Sequence, residues 1–111
     1  MKQLIIAIII LIYSSVIFAT ETTGTIERIY INNSGLVLFT LSTTASGRPS
    51  CATNSTWDFK IDLNNSFSKE MLSMLLISQS TDKAIKAGSG ANPSCGTGFP
   101  AIEVNYVYFA N

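Results

Sequence analysis

The first part of the chain alternates apolar and polar positions with the two-residue period of β-strands. In TGTIERIYI, residues 23–31, Ile26 and Tyr30 fall on one face of a strand and Glu27 on the other. The turn sequence NNSG then leads into LVLFTL, residues 36–41. Two β-prone runs joined by a turn of Asn, Ser and Gly predict a β-hairpin.

A third strand is predicted after an irregular loop. The segment STTASGRPS, residues 42–50, has neither periodicity nor bulky side chains, which is typical of a loop. The segment that follows alternates in character, with apolar side chains at Trp57, Phe59 and Ile61 and polar ones at Asp58, Lys60 and Asp62. This alternation predicts a strand with one buried and one solvated face.

The period changes in SFSKEMLSMLLISQS, residues 66–80, which predicts a helix that Ser66 or Asn65 can cap. Its apolar side chains at helical spacing include Phe67, Met71 and Leu75.

The apolar positions of this helix from Met74 round to Leu76 cover about 200°, whereas a helix packed on one side needs only somewhat over about 100°. Ile77 lies outside this arc. Either a partner subunit contacts the helix, giving a homo-oligomer through Met71 to Ile77, or the helix is sunk deep in its own small core.

The end of the chain predicts two more strands. KAIKAGSG, residues 83–90, is a short strand, and the Gly/Pro-rich segment ANPSCGTGFP is a loop. AIEVNYVYF, residues 101–109, is a terminal strand. The side chains that should share one face of it are Ile102, Val104, Tyr106 and Tyr108.

Three strands, a helix and two strands follow one another in the order of the OB-fold, a small Greek-key barrel that binds oligosaccharides or oligonucleotides. We therefore predict a mainly β (α+β) protein, an OB-like five-stranded barrel with one helix between strands three and four. No repeat, linker or charge block divides residues 20–111, which predicts a single domain.

The N-terminus predicts export. Lys2 is followed by an apolar run that ends in small residues at Ala19, and this pattern is typical of a signal peptide covering residues 1–19. An uncleaved membrane anchor is the competing interpretation, because the run through Phe18 falls only slightly short of the roughly 18 to 20 residues that span a bilayer. Cleavage would release a secreted or periplasmic domain without membrane contact.

Charge and cysteine content narrow the function classes. Without Lys2 the chain has six basic and seven acidic residues, which excludes the basic surface that nucleic acids require. In an oxidising compartment two cysteines readily form a disulfide, so we expect Cys51 to be joined to Cys95. The chain contains no histidine, so a catalytic thiol lacks its usual base and a zinc site lacks imidazole ligands.

No other pair of residues predicts catalysis. Asp58 and Asp62 stand four positions apart on one strand, about 13 Å, which is too far for the carboxylate pair of a glycoside hydrolase. We therefore predict a protein that is not an enzyme and needs no cofactor or metal.

The combination of a signal-peptide pattern, an OB-like element order, a disulfide-sized cysteine pair and the ending AIEVNYVYFAN resembles the small B subunits of bacterial AB-type toxins. The chain also resembles uncharacterised secreted proteins of similar size, with a YINNSGLVLFTLS hairpin, an SC…W.F strand, an SKEMLSMLL helix and a last strand near IEVNYV. This resemblance implies a pentamer formed around the helix and binding of a cell-surface glycan, with no chemistry. The cholera-type subunits have a sugar-stacking tryptophan near the last strand, and KAGSGANPSCGTGFP has none. A pocket elsewhere, as in the subtilase-type and pertussis-type subunits, is the remaining expectation.

The two loops that a disulfide would join are the predicted ligand site. The guanidinium of Arg48 suits an acidic sugar such as sialic acid, and a solvated loop arginine is its alternative. Trp57 offers an aromatic face to a sugar ring, and a place in the core is its alternative. The polar candidates beside Cys95, for which turn formation is the alternative, are Asn92, Ser94 and Thr97.

The sequence thus predicts a secreted, non-enzymatic binding module, of the kind represented by toxin B subunits that recognise cell-surface glycans. The alternative is a monomeric periplasmic or cell-envelope protein with a structural or interaction role and no glycan ligand.

Overall fold

The computed structural model describes residues 20–90 and 93–110, which form seven strands and one helix. The predicted signal peptide, residues 1–19, and Asn92 lie outside the described residues. In chain order the elements are β1 (Thr20–Gly24), β2 (Ile26–Ile31), β3 (Leu36–Leu41), β4 (Phe59–Asp62), α1 (Ser68–Thr81), β5 (Ile85–Gly90), β6 (Ile102–Glu103) and β7 (Tyr106–Phe109). No helix in this part of the chain is long and apolar enough to cross a membrane.

The strands form two sheets. One has the order β1-β5-β7 and the other the order β2-β3-β4-β6. All neighbouring strands are antiparallel except β4 and β6. The predicted mainly β class with one helix is confirmed, whereas the described residues form two separate sheets and no closed barrel.

Seven strands appear where five were predicted, because the first and last predicted strands are each interrupted. Thr25 separates β1 from β2, and residues 104–105 separate β6 from β7. At the first interruption the Ser42 N–H donates to the Thr25 carbonyl at 2.8 Å, and at the second the Asn105 N–H donates to the Gly88 carbonyl at 2.9 Å. Each interruption therefore passes the chain from one sheet to the other with its backbone still hydrogen-bonded.

The hairpin between β2 and β3 is confirmed, and its turn is held by the side chain of Asn32. The Oδ1 atom of Asn32 accepts the backbone N–H of Ser34 at 3.0 Å and that of Leu36 at 3.0 Å. Gly35 adopts a φ of 88°, which glycine adopts without steric cost.

A β-bulge changes which side chains of β2 face the core. Ile26 pairs with Leu41 and Arg28 pairs with Thr40, so Glu27 is one extra residue on this strand. The predicted common face of Ile26 and Tyr30 is therefore wrong. Beyond the bulge Ile29 packs against the core, and Tyr30 is 48% exposed.

The core lies between the two sheets and the helix. Phe39 and Phe59 stack at its centre with ring centroids 5.1 Å apart, and both are buried. The other fully buried large side chains of this core are Val37, Ile61, Leu75, Ile85 and Ile102.

The face of β4 that was predicted to be solvated is partly buried. Lys60 is only 4% exposed, because the loop before β6 covers it. Its ammonium group donates to the carbonyls of Thr97 at 2.9 Å and Phe99 at 2.8 Å. The sequence alternation identified the core face correctly, but it could not show that a distant loop covers the opposite face.

Helix α1 begins later than predicted. Its N-cap is Phe67, which has a left-handed φ of 64° and makes no side-chain cap hydrogen bond, so the predicted cap at Asn65 or Ser66 is wrong. The residues before it form a turn, in which the Asn65 N–H donates to the Asp62 carbonyl at 3.0 Å. Phe67 is consequently 77% exposed and lies outside the apolar stripe of the helix.

One side of α1 packs against β2, β4 and β7. Leu75 is fully buried there, with Met71 and Leu72 partly buried beside it. On the other side Leu76 is 44% and Ile77 is 50% exposed. The interpretation in which the helix is buried all round in its own core is therefore wrong.

The last strand changes face at its interruption. Ile102 and Val104 are buried, but after residue 105 it is Val107 that packs into the core. The predicted common face of Ile102, Val104, Tyr106 and Tyr108 is wrong for this reason. A two-residue break that moves the chain between sheets resets the alternation.

Tyr106 and Tyr108 instead hold β1 in place through Glu21. The carboxylate of Glu21 accepts the Tyr106 hydroxyl at 2.8 Å and the Tyr108 hydroxyl at 3.1 Å, and Lys86 lies 3.8 Å away. Burial, reinforced by the hydrogen bond and charge of Glu21, raises the pKa of Tyr106 to about 12.

The disulfide between Cys51 and Cys95 is confirmed, with a Cα–Cα distance of 6.0 Å. It links residues separated by 44 positions, and chain-entropy arguments give such a crosslink about 4 kcal/mol of stabilisation. Near the disulfide the Asn54 N–H donates to the Pro100 carbonyl at 3.1 Å, so a backbone hydrogen bond also joins the two loops.

The raised pKa of Tyr106 predicts loss of stability at high pH. Its folded value lies above the ordinary value of about 10, so the contribution to stability is complete below pH 10 and is lost as the pH rises through about 12. Absorbance titration of tyrosinate should show one group ionising near pH 12, and Glu21→Gln should lower that value. Identical titration curves for the two proteins would contradict this role of Glu21.

Candidate ligand-binding site

The loop between β3 and β4 is held by Arg48, one of the predicted ligand residues. Its guanidinium forms an ion pair with Asp58 through Nη1. Nη2 donates to the carbonyls of Ala52 at 2.8 Å and Asn54 at 2.9 Å. A guanidinium group has five N–H donors. The bonds to Asp58, Ala52 and Asn54 use three of them within the protein's own loop.

An exposed cluster lies beside this loop, formed by Trp57, Arg28 and Tyr30. The guanidinium carbon of Arg28 stands 5.2 Å from the centroid of the Trp57 ring, within cation–π range. The Tyr30 ring is 6.0 Å from Trp57. Trp57 precedes β4 and is half-buried, so it lies at the surface end of the strand and not among the core aromatics.

A polar cavity of about 280 Å³ opens next to this cluster. We call it the hydroxyl cavity, since most of its lining side chains carry hydroxyl groups. These are Thr40, Ser42, Thr43, Thr44, Ser55 and Thr56. Its charged lining residues are Glu27, Arg28 and Asp58.

The bulge in β2 supplies two of the charged groups. Consecutive residues of a regular strand point to opposite faces, yet Glu27 and Arg28 both line the hydroxyl cavity. The extra residue at Glu27 accounts for this, because a bulge redirects the side chains around it. Arg28 is fixed there by a bond of 2.9 Å from its Nη2 to the Thr56 carbonyl.

Thr40 is the most deeply buried polar side chain of this lining. It is 5% exposed, and its Oγ1 atom has no hydrogen-bond partner among the described residues. A buried hydroxyl without a partner costs about 1 to 3 kcal/mol. The oxygen has almost no accessible surface, so a molecule in the cavity does not reach it.

A second cavity, of about 270 Å³, lies at the other end of the same sheet face. Lys60, Asp62, Thr97 and Glu103 line it. Gly96, also in the lining, has a φ of 57°, and a Cβ there would collide with the Glu103 carboxylate. Lys60 uses its ammonium group to hold the loop, as described above.

The predicted site residues do not share one cavity. Thr97 lines the second cavity, and neither Arg48 nor Trp57 lines either one. The Ser94 hydroxyl accepts the Gly96 N–H at 3.0 Å, which is the local turn bonding that was its alternative interpretation. As ligand contacts these residues remain predictions.

Sequence reasoning missed Arg28 and Thr40. Nothing in the sequence marks the bulge at Glu27, and a threonine within an apolar strand such as LVLFTL carries no visible signal. Among the described residues, no group of three or more His, Cys, Asp or Glu side chains could hold a metal ion. To a ligand, the hydroxyl cavity offers hydrogen-bonding hydroxyl groups, two carboxylates and the aromatic surface of the adjoining Trp57.

We expect Arg48→Met to lower the free energy of unfolding by about 1 to 3 kcal/mol, because it leaves Asp58 and two carbonyls without their donor. Arg28→Met is the matched control. The ion pair of Arg28 with Glu27 at 3.8 Å and its bond to the Thr56 carbonyl at 2.9 Å are both exposed to solvent, and their loss should cost about 1 kcal/mol or less. Urea unfolding of both variants measures the difference, and equal losses would contradict the anchoring role of Arg48.

No protein-family model, curated protein or solved structure matches this chain.

Proposed function

We propose that this protein is an exported, non-enzymatic binding module that recognises a glycan at the hydroxyl cavity. The observation that carries the proposal is a cavity of about 280 Å³ whose lining is rich in exposed hydroxyl groups, next to the aromatic ring of Trp57. Sugars present hydroxyl groups of the same kind, and the neighbouring Trp57 can cover the apolar side of a sugar ring.

The pairing order of the strands supports an OB-like barrel as the framework. If β1 and β2 are one bent strand and β6 and β7 another, the first strand pairs with the second, the second with the third, the third with the fifth, the fifth with the fourth, and the fourth with the first. A bent, five-stranded Greek-key arrangement of this kind is the OB-fold. The helix contacts both β2 and β7, so it would cover the opening between the two sheets on that side of the barrel.

Export is supported by the disulfide, since such bonds persist in oxidising compartments. The signal-peptide pattern of residues 1–19 points the same way. A toxin-type B subunit is the most specific form of this proposal, and it rests on the sequence resemblance.

Self-association through α1 is a further part of the proposal. Leu76 and Ile77 form an apolar surface on the side of the helix that faces away from the core. Ser73 and Ser80 lie beside them and are exposed. Small side chains around two apolar ones allow close approach of another helix.

A glycan array with the purified mature domain tests the binding function. We expect binding, and we expect Trp57→Leu to weaken it about tenfold through loss of the aromatic surface. Phe67→Leu is the control, because it removes a 77% exposed aromatic ring at the start of α1, outside the cavity lining. A blank array for the folded domain would contradict glycan recognition and favour a structural role in the cell envelope.

Light scattering tests self-association. Wild-type protein should have the mass of an oligomer, and Ile77→Asp should reduce it to a monomer because a charge would be buried in the contact. Thr53→Asp introduces the same charge at an exposed position outside the helix, in the loop between β3 and β4, and should leave the mass unchanged. Equal masses for wild type and Ile77→Asp would contradict the interface.

A further inference from the structure

Trp57 is the aromatic residue beside the hydroxyl cavity, and a turn closed by Asn54 holds its backbone. The Oδ1 atom of Asn54 accepts the backbone N–H of Trp57 at 2.8 Å and that of Thr56 at 2.9 Å. An asparagine that accepts backbone N–H groups shortly ahead of it forms an Asx turn. This turn fixes the backbone at the point from which the Trp57 side chain extends.

Asn54 is itself fixed by both loops of the disulfide. Its carbonyl accepts Nη2 of Arg48 at 2.9 Å, and its N–H donates to the Pro100 carbonyl at 3.1 Å. Arg48 belongs to the loop that carries Cys51, and Pro100 belongs to the loop that carries Cys95. The covalently joined loops are therefore connected to the turn through one asparagine.

Arg28 holds the same segment from strand β2. Its Nη2 donates to the Thr56 carbonyl at 2.9 Å, and its guanidinium carbon lies 5.2 Å from the centroid of the Trp57 ring. The peptide group between Thr56 and Trp57 thus has both polar atoms bonded, the oxygen to Arg28 and the N–H to Asn54. Backbone and ring are held together by these two residues.

The ring of Trp57 still faces solvent in part. The residue is half-buried, and one guanidinium covers only one of the two faces of an indole. The ring of Tyr30 is tilted by 39° against it and does not stack on it. A side chain whose orientation is set before binding loses less conformational entropy when a ligand contacts it.

We infer that Asn54 and Arg28 are positioning residues, which orient the Trp57 ring for the sugar. This inference rests on the proposed glycan-binding function and deepens it. Asn54 lies outside the lining of the hydroxyl cavity, so its effect on binding acts through Trp57.

Fluorescence of the exported, disulfide-bonded protein tests this hold without any sugar, because Trp57 is the only tryptophan of the chain. We expect Asn54→Ala and Arg28→Met to lower the anisotropy of this fluorescence and to raise its quenching by acrylamide. Asn54→Asp keeps an oxygen acceptor at the same place and should restore both values. Asn64→Ala, at an exposed asparagine in the turn after β4, should leave them unchanged.

The glycan array, repeated with the same variants, tests the effect on binding. Asn54→Ala should weaken binding about fivefold, because the ring must then be ordered when the sugar binds. Asn54→Asp should restore binding, and Asn64→Ala should not change it. Circular dichroism shows whether each variant is folded, and Arg28→Met keeps the fluorescence test decisive if Asn54→Ala does not fold.

The outcomes separate this inference from the broader function. Anisotropy and quenching that stay at wild-type values in the folded variants would overturn the positioning of the ring and leave glycan recognition intact. A looser ring in Asn54→Ala with unchanged binding to the array would overturn its role in binding alone. A blank array for the wild-type protein would overturn glycan recognition and this role together.

Discussion

The Cys51–Cys95 disulfide holds two irregular loops against one sheet, and much of the surface chemistry depends on this connection. These loops contain few large apolar side chains, so hydrophobic burial alone gives them little stabilisation. The covalent bond is supplemented by two buried or half-buried cations. Lys60 holds the loop around Cys95, and Arg48 holds the loop around Cys51, each by donating to backbone carbonyls.

This arrangement gives the two most conspicuous cations, Arg48 and Lys60, a structural role in these loops. A cation that satisfies carbonyl groups of a loop cannot release them without leaving buried acceptors unpaired. The exposed hydroxyl groups of the cavity lining and the Trp57 ring lie beside the loop that Arg48 anchors. The proposed site therefore lies next to the anchored loop and uses its rigidity, while the anchoring residues themselves have a structural role.

The interruptions of the first and last strands have a related consequence. At Thr25 and at residues 104–105 the chain leaves one sheet and enters the other, so both sheets share the same small core. The side-chain alternation restarts at such a break. This places Tyr106 and Tyr108 on Glu21, where they secure β1, and it leaves Val107 to fill the core.

The sequence by itself determined four features of the fold: the hairpin at Asn32, the buried face of Phe59 and Ile61, the helix, and the disulfide. The hydrophobic period, the turn residues and the presence of just two cysteines in the chain suffice for these predictions, because each can be read from the sequence without knowing the tertiary contacts. Only the tertiary structure decided the bulge at Glu27, the cover over Lys60 and the position of Thr40. These features depend on contacts between segments far apart in the chain, and such contacts leave no period in the sequence.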